Sequence, residues 1–226
     1  MKIKWIGQAG LLIEADGKTI LVDPYLSNSV EKINPNNYRR QPIDEDLLQI
    51  KPDIIVLTHN HLDHTDPETL KHYLGEDSCV TVLASYNAWQ EVRKFGGVKN
   101  NYVMFNRHTI WTEGNIRFKA VKAEHSDAYA IGFIIYYDDK KVYVTGDTLY
   151  NEENFVDIPN DIDVIFLPIN GIGNNMNVSD SINFGKKVGA KKTVPIHFGL
   201  FDGINPDSFD FDGAIVPTIY NIVDCF

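Results

Sequence analysis

Thr58-His59-Asn60-His61-Leu62-Asp63-His64 is the stretch of this chain that decides its fold and chemistry. It places three imidazoles and one carboxylate directly after the apolar run 54–57. Residues spaced i, i+2 in an extended segment point to the same side, so His59 and His61 can bind one ion. Imidazole and carboxylate groups together suit divalent transition metals. The stretch therefore predicts a metal site at the end of a buried strand, and the alternative is a solvated polar turn.

Three later residues extend this pattern. His125, Asp147 and His197 each follow an apolar run, as the first cluster does. Taken singly, a histidine after a strand is more often structural, and a Gly-Asp pair is more often a turn. Because strand ends of a layered protein commonly meet at one rim, the three residues together with the first cluster predict one shared site.

The composition is that of an ordinary globular protein. The chain has 226 residues, of which 43% are hydrophobic and 12% aromatic, and we expect a single domain over residues 1–226. A net charge of −10 argues against a broad surface for nucleic acid or for an anionic membrane. It does not exclude a local cationic pocket, since bound dications would themselves attract an anionic substrate.

The sequence predicts a cytoplasmic protein. Residues 1–7 alternate polar and apolar side chains like a strand and lack the apolar core of a signal peptide. No stretch approaches the roughly 18 apolar residues of a membrane span. Cys79 and Cys225 are the only cysteines and lie far apart, so a disulfide framework is not expected.

Turn and capping signals divide the chain into short strands and helices. Asp16-Gly17 predicts a hairpin, and residues 27–42 form a surface excursion that could overhang a site. Asp66-Pro67 predicts the start of a helix, and Ser85 precedes another that includes Phe95. Further strands are predicted over 80–83, 116–123, 131–137, 142–145, 164–167 and 193–196, with a helix after Asn177. A tight Asp138-Asp139-Lys140 turn is predicted to join the strands 131–137 and 142–145.

With these residues taken together, the sequence resembles the metallo-β-lactamase superfamily of hydrolases. The residues that match its seven metal ligands, in order, are His59, His61, Asp63, His64, His125, Asp147 and His197. The resemblance spans nearly the whole chain, from the first hairpin to His197. It implies an α/β fold, namely a four-layer αββα sandwich of two mixed β-sheets with outer helices. The metals would lie at one edge, between the sheets.

The resemblance also implies how the ligands divide between two ions. His59, His61 and His125 would bind the first, Asp63, His64 and His197 the second, and Asp147 would bridge both. Gly7-Gln8-Ala9, Asp23-Pro24-Tyr25-Leu26, Gly146-Asp147-Thr148 and Pro195-Ile196-His197-Phe198 look most like one branch of the superfamily. That branch contains L-ascorbate-6-phosphate lactonase and many uncharacterised metal-dependent hydrolases.

A two-metal site has a defined chemistry. Two dications about 3.5–4 Å apart share a water and lower its pKa, so hydroxide is available to attack a carbonyl or a phosphorus. We expect Asp63 and Asp147 to be the catalytic carboxylates. Zn is the first expectation for both ions, and Mn or Fe are the alternatives, because affinity and availability decide which metal is bound.

Outside the ligand set, three features are candidates for supporting roles. Asp23 can accept the second N–H of a ligating histidine, although a turn-capping role explains it equally well. Tyr150 could position substrate, but surface packing is the simpler interpretation. The loop 170–175 carries glycines and amides suited to substrate contact, or to an ordinary connection.

The sequence leaves more than one function open. The leading hypothesis is a metal-dependent hydrolase of a small ester-like substrate such as a lactone, phosphorylated or not. The alternatives are a phosphodiesterase acting on a small substrate, and a metal-binding sensor or scaffold without turnover. The expected partner is a small molecule, anionic ones included. Neither nucleic acid nor a membrane is expected as a partner. The oligomeric state stays open, and a homo-oligomer is one alternative.

Overall fold

The computed structural model describes residues 1–226 and contains two six-stranded mixed β-sheets. The strands of the first sheet, in spatial order, are β1 (Lys2–Gly7), β2 (Gly10–Ala15), β3 (Lys18–Val22), β4 (Ile54–Leu57), β5 (Thr81–Ala84) and β6 (Asn101–Met104). Those of the second sheet are β7 (Ile110–Glu113), β8 (Ile116–Lys122), β9 (Ile131–Tyr137), β10 (Lys140–Val144), β11 (Val164–Pro168) and β12 (Lys192–Ile196). In each sheet, antiparallel strands come first along the chain and parallel strands follow.

Helices cover the outer faces of both sheets. They are α1 (Ser29–Ile33), α2 (Pro67–Tyr73), α3 (Tyr86–Val92) and α4 (Val178–Val188). Short 3-10 helices lie at Glu45–Gln49, Glu152–Phe155 and Pro206–Ser208. The αββα sandwich expected from the sequence is confirmed. None of these helices has the length and apolar character that crossing a membrane requires.

The strand that precedes the histidine cluster is buried on both faces. Ile54 and Val56 belong to the large hydrophobic cluster between the sheets, whereas Ile55 and Leu57 belong to a second cluster beneath α2 and α3. Alternate side chains of a strand point to opposite faces. A strand that lies between two apolar layers therefore has apolar residues at every position of its sequence. Polar side chains are therefore confined to the end of this strand, where the metal-site sequence begins.

The predicted turns are confirmed by the backbone. Asp16 and Gly17 have φ of 51° and 70°, and Asp138 and Asp139 have φ of 52° and 58°. Two successive residues with positive φ match the right-handed twist of paired strands, which explains the tight hairpins at both places. Lys140, which the sequence assigned to the second turn, is the first residue of β10 instead.

Three of the labelled helices and strands were not predicted. They are α1, β6 and β7, and the last two lie at the outer edges of the two sheets. In addition, α3 ends at Val92, so Phe95 lies beyond it although the apolar spacing included it. At the opposite edges the C-terminal segment supplies backbone partners: Tyr220 N–H donates to Trp5 O, and Thr193 N–H donates to Gly213 O.

Asp66 fixes the start of α2 immediately after the histidine cluster. Its carboxylate accepts hydrogen bonds from Glu68 N (3.1 Å) and from Thr69 N (3.1 Å) and Oγ1 (2.5 Å), and the residue is fully buried. We expect Asp66→Ala to lower the free energy of unfolding by about 1–2 kcal/mol, because three donors, two of them buried, lose their acceptor. Urea unfolding of the metal-free protein measures the change. Asp66→Ser, which keeps one capping oxygen, should recover part of the loss. An unchanged midpoint for Asp66→Ala would contradict this role.

Candidate metal centre

The seven residues expected to bind metal come from the strand ends of both sheets and meet at one rim. His59, His61, Asp63 and His64 follow β4 in the first sheet. The second sheet supplies His125 after β8, Asp147 after β10 and His197 directly after β12. The two sheets are joined at this rim by a backbone hydrogen bond from Ile131 N–H to Thr58 O (3.1 Å).

A glycine brings the two sheets close at this point. Gly146 has φ of 61°, and a Cβ at this position would lie 2.6 Å from Ile131 O and 3.1 Å from Thr58 Cβ. Only glycine fits both the positive φ and the close approach. The next residue, Asp147, is thereby held against the side chains that follow β4.

The donor atoms form three overlapping groups. Within each group, the donor atoms lie within 4.8 Å of one another. The groups are His59, His61 and His125; His59, His64 and Asp147; and Asp63, His64 and His197. The first and third groups are the two ligand triplets that the sequence implied. Asp147 lies between them, with its carboxylate 3.2 Å from His197 Nε2, 3.3 Å from His64 Nε2 and 4.0 Å from His59 Nε2.

The residues present fit two cations. His59 Nε2 and Asp147 Oδ1 are buried without any hydrogen-bond partner. His64 Nε2 and His197 Nε2 face each other at 3.3 Å, and the rings of His59 and His64 lie 4.0 Å apart. Buried polar atoms are nearly always satisfied, and lone pairs converging on one point are satisfied by a cation. Histidine and aspartate are also ligands typical of Zn, Mn and Fe sites.

The pKa values in the centre follow from burial and from the two carboxylates. Burial lowers the pKa of His59 well below its usual value and lowers the pKa of His125 to about 4. Burial also disfavours the charged form of His64 and His197, but nearby carboxylates, Asp147 foremost, outweigh it. The pKa of His64 is therefore well above its usual value, and that of His197 is raised to about 9.

The carboxylates show the reverse effect. Burial opposes ionisation of Asp63 and Asp147, yet the surrounding histidines hold the pKa of both carboxyls below the usual value. Both groups are anionic at neutral pH, and this region of the protein therefore requires a positive charge. Protons on His64 and His197 supply that charge when no cation is bound.

Asp23 orients two of the histidines, His64 by direct contact and His59 through the hydroxyl group of Thr58. Its Oδ2 lies 2.9 Å from His64 Nδ1 and accepts a hydrogen bond from Thr58 Oγ1 at 2.5 Å, while its Oδ1 accepts from Thr58 N at 2.8 Å. Since the Thr58 hydroxyl donates to Asp23, its oxygen is free to accept from His59 Nδ1, 3.1 Å away. Both Nδ1 atoms are thus occupied, and the Nε2 atoms of His59 and His64 face the cluster. The predicted contact of Asp23 with a histidine is confirmed, whereas the contact of Thr58 was missed.

Three amide side chains that the sequence did not single out individually as supports also contact the cluster. Gln8 Nε2 donates to Asp63 Oδ2 (2.8 Å) and lies 3.3 Å from His197 Nε2. Asn175 Nδ2 donates to Asp147 Oδ2 (2.9 Å), and the amide of Asn170 lies 3.0 Å from His197 Nδ1. Asn170 and Asn175 belong to the loop whose amides suggested substrate contact, while no pattern in the sequence marked Gln8 as a contact of the site.

Three residues at the site have a strained backbone conformation. Gln8, Asp23 and His197 are non-glycine residues with φ of 49°, 39° and 58°. His197 N–H donates to Gln8 O at 2.8 Å, and this bond links the rims of the two sheets. Strained residues persist where surrounding contacts fix them, and such positions are typical of functional sites.

The cluster opens into a cavity of about 250 Å³. His61, Asp63, His125, Asp147 and His197 form part of its lining. The segment 27–42 contributes Val30 and Asn37, and the loop 170–175 contributes Asn170 and Ile172 to Asn175. The prediction that both segments border the site is confirmed. Tyr150 lies outside the lining and packs against Phe155 and Phe184, so the packing interpretation holds for it.

Comparisons with known proteins agree with this fold and site. Residues 18–198 match the family model described as the beta-lactamase superfamily domain, and the chain therefore belongs to that superfamily. A protein of Ligilactobacillus salivarius named UPF0173 metal-dependent hydrolase is 34% identical over 93% of this chain and 91% of its own length. A protein of the same name from Geobacillus thermodenitrificans is 29% identical over 97% of this chain and 95% of its own.

Solved structures show the same architecture. A novel metallo hydrolase from the archaeon Ignicoccus hospitalis superposes with a TM-score of 0.74 at 21% identity, covering 98% of this chain and 97% of the other. At that identity the likeness shows the fold alone. Together with the donor clusters, the relatives characterise this chain as a metal-dependent hydrolase of the beta-lactamase superfamily.

If Asp23 orients His64 and His59, then Asp23→Asn should weaken metal binding about 10- to 100-fold, because an amide cannot accept from Thr58 and His64 as the carboxylate does. Competition with a chromogenic chelator measures the affinity. Asp53→Asn is a matched control, since Asp53 also accepts from the backbone, at Thr19 N, but lies outside the cavity. Equal affinities for the two variants would refute the orienting role.

Proposed function

We propose that this protein hydrolyses a small ester-like substrate, a lactone in the first instance, at a centre of two divalent ions held by the seven residues. The observation that carries the proposal is that the donor clusters border an open cavity instead of being sealed in the core. A structural metal site is closed by its ligands, whereas a catalytic site keeps room for water and substrate. Zinc is the first candidate for both ions.

The residues divide into two roles. His59 and His64 are fully buried and fixed by Thr58 and Asp23, so they hold their positions throughout a reaction cycle. His61, Asp63 and His125 border the cavity, where ligands can rearrange as substrate enters. Two divalent ions bound here would supply an activated water and would polarise the substrate carbonyl.

Asp63 and Asp147 are the carboxylates placed to act on the reacting groups. Both line the cavity, and the side chain of Asp63 is 19% exposed while that of Asp147 is 6% exposed. We assign to Asp63 the transfer of the proton from the attacking water to the leaving oxygen. Gln8 Nε2, which donates to Asp63 Oδ2, holds the carboxylate in place for this transfer. Asp147 is the group that joins the two ligand triplets.

The size and position of the cavity support a small substrate. At about 250 Å³ it is smaller than the roughly 300–1,000 Å³ of sites for drug-sized ligands. The likeness to the lactonase branch of the superfamily supports a lactone, with or without a phosphate. A cytoplasmic place of action belongs to the same proposal, supported by two unpaired cysteines, one of them exposed.

The proposal predicts that His61→Ala abolishes metal-dependent hydrolysis and leaves most of the fold intact. His61 is exposed at the cavity, so its loss removes a ligand without leaving a hole in the core. Assays of lactones, phosphodiesters and thioesters with added Zn or Mn measure the activity, and circular dichroism checks the fold. His72→Ala removes an exposed histidine of α2 and should retain wild-type activity. Full activity in the His61→Ala variant would contradict the proposed mechanism.

Asp147→Ala should be at least as damaging as His61→Ala. The carboxylate contacts histidines of both triplets, so its removal affects both ions instead of one. The residual rate in the same assays is the measurement. Tight metal binding by the wild-type protein without turnover of any compound in the panel would instead favour a sensor or scaffold.

A further inference from the structure

Two buried amide oxygens beside the metal centre have no hydrogen-bond partner. Gln8 and Asn175 are only 2% and 6% exposed, and both border the cavity. Each directs its N–H group at a carboxylate of the centre, Gln8 at Asp63 and Asn175 at Asp147. Gln8 Oε1 and Asn175 Oδ1 are left buried without a donor.

The orientation of these two amides is fixed by the carboxylates. A flip of either amide would place its oxygen against an anionic oxygen of Asp63 or Asp147, so that two acceptors would face each other with no hydrogen atom between them. The N–H groups must therefore face the carboxylates, and the carbonyl oxygens must face away from them. A buried acceptor without a donor is costly, so a ligand that donates a hydrogen bond to it binds favourably.

The charge of the cavity lining favours an uncharged ligand. Besides the metal-binding residues, the only ionisable side chain that lines the cavity is Asp202, and neither Lys nor Arg is among the lining residues. Arg39 is not among the lining residues. It donates from Nη1 to Tyr25 O and from Nη2 to Tyr220 Oη, and its buried Nε has no hydrogen-bond partner. Apart from the metal ions and the histidines that would bind them, a phosphate or carboxylate on the substrate would meet Asp202 in this lining and no lysine or arginine.

We propose that the substrate is an uncharged lactone that carries hydroxyl groups, which donate hydrogen bonds to Gln8 Oε1 and Asn175 Oδ1. This inference rests on the proposed function and narrows it, because it excludes the phosphorylated lactones. Water adds to the acyl carbon, the ring C–O bond breaks, and the leaving oxygen takes up a proton, so that the product is an open-chain hydroxy acid.

Three lactones test the two parts of the inference. D-glucono-1,5-lactone carries hydroxyl groups, δ-valerolactone has none, and the 6-phosphate of the gluconolactone adds two negative charges. With spontaneous hydrolysis subtracted, kcat/KM for gluconolactone should exceed that for each of the other two by about 10-fold or more. Equal or faster turnover of δ-valerolactone would overturn the hydroxyl part, and equal or faster turnover of the phosphate would overturn the charge part.

The ratio of gluconolactone to δ-valerolactone turnover isolates the role of the amide oxygens. Asn175→Ala lowers both rates, because Asp147 loses a contact, but it should also reduce the ratio to about one third of the wild-type value or less. Asn170→Ala is the matched control. In either orientation of the Asn170 amide its oxygen already has a donor, from Ile172 N–H or from His197 Nδ1–H, so the ratio should stay unchanged. The same ratio in both variants would contradict the proposal.

The charge of the lining can be tested by adding a cation. Ile172 lines the cavity, is 59% exposed and has no polar side-chain role, so Ile172→Lys adds a positive charge without removing a hydrogen bond. It should raise kcat/KM for the 6-phosphate relative to gluconolactone about 10-fold. Ile110→Lys on β7, outside the lining, changes the net charge equally and should leave that ratio unchanged. An equal response of both variants would show that overall charge, not the lining, decides the preference.

Binding separates this inference from the proposed function. Calorimetry with the zinc-loaded protein compares gluconate with 5-hydroxypentanoate, the products of the two neutral lactones. If no lactone is hydrolysed but gluconate binds about 10-fold more tightly, and Asn175→Ala removes that preference, the hydroxyl recognition stands while the lactonase function fails. Gluconate binding no tighter than 5-hydroxypentanoate overturns the inference, whatever the activity.

Discussion

The buried carboxylate of Asp147 is the group on which the rest of this structure depends. It comes from the second sheet and lies 3.3 Å from His64 of the first sheet and 3.2 Å from His197 of its own. Burying a carboxylate is costly unless cations or donors surround it. The histidines, and the ions they are placed to bind, offset that cost, and they can do so only where the two sheets meet. The rim is therefore both the place where charges of the two sheets meet and the place where the proposed chemistry would occur.

The remaining contacts of the site follow from the need to surround the buried carboxylate with cations or hydrogen-bond donors. Histidines surround the carboxylate, and Asp23 and Thr58 fix the histidines from the first sheet. In addition, Gln8 and Asn175 donate to Asp63 and Asp147, and their amide oxygens are buried without a hydrogen-bond partner. Asp23 and Thr58 occupy the Nδ1 atoms of two histidines, and the two amides occupy oxygens of Asp63 and Asp147. The preference for a hydrogen-bond donor that we propose for the cavity would then follow from the charge balance of the centre.

The sequence predicted the parts of this arrangement that have a strong local signal. The histidine cluster after the run 54–57, the Asp16-Gly17 hairpin and the Asp66 cap each depend on neighbouring residues, and the structure agrees with all three. The edge strands β6 and β7 were missed because they are short and partly exposed, so their apolar spacing is weak. Gln8 and Thr58 were missed as supporting residues for a different reason. Their roles arise from contacts across the fold, such as that from Gln8 to Asp63, for which the chain carries no spacing signal.

The most direct test of the central claim is the number of metal ions bound per chain. The protein is stripped with a chelator, dialysed against buffered zinc, and analysed by elemental mass spectrometry beside an accurate protein concentration. The seven side chains at the rim predict two zinc ions per chain, and manganese or iron should give the same number if they replace zinc. A single ion per chain, or none, would contradict the two-metal centre.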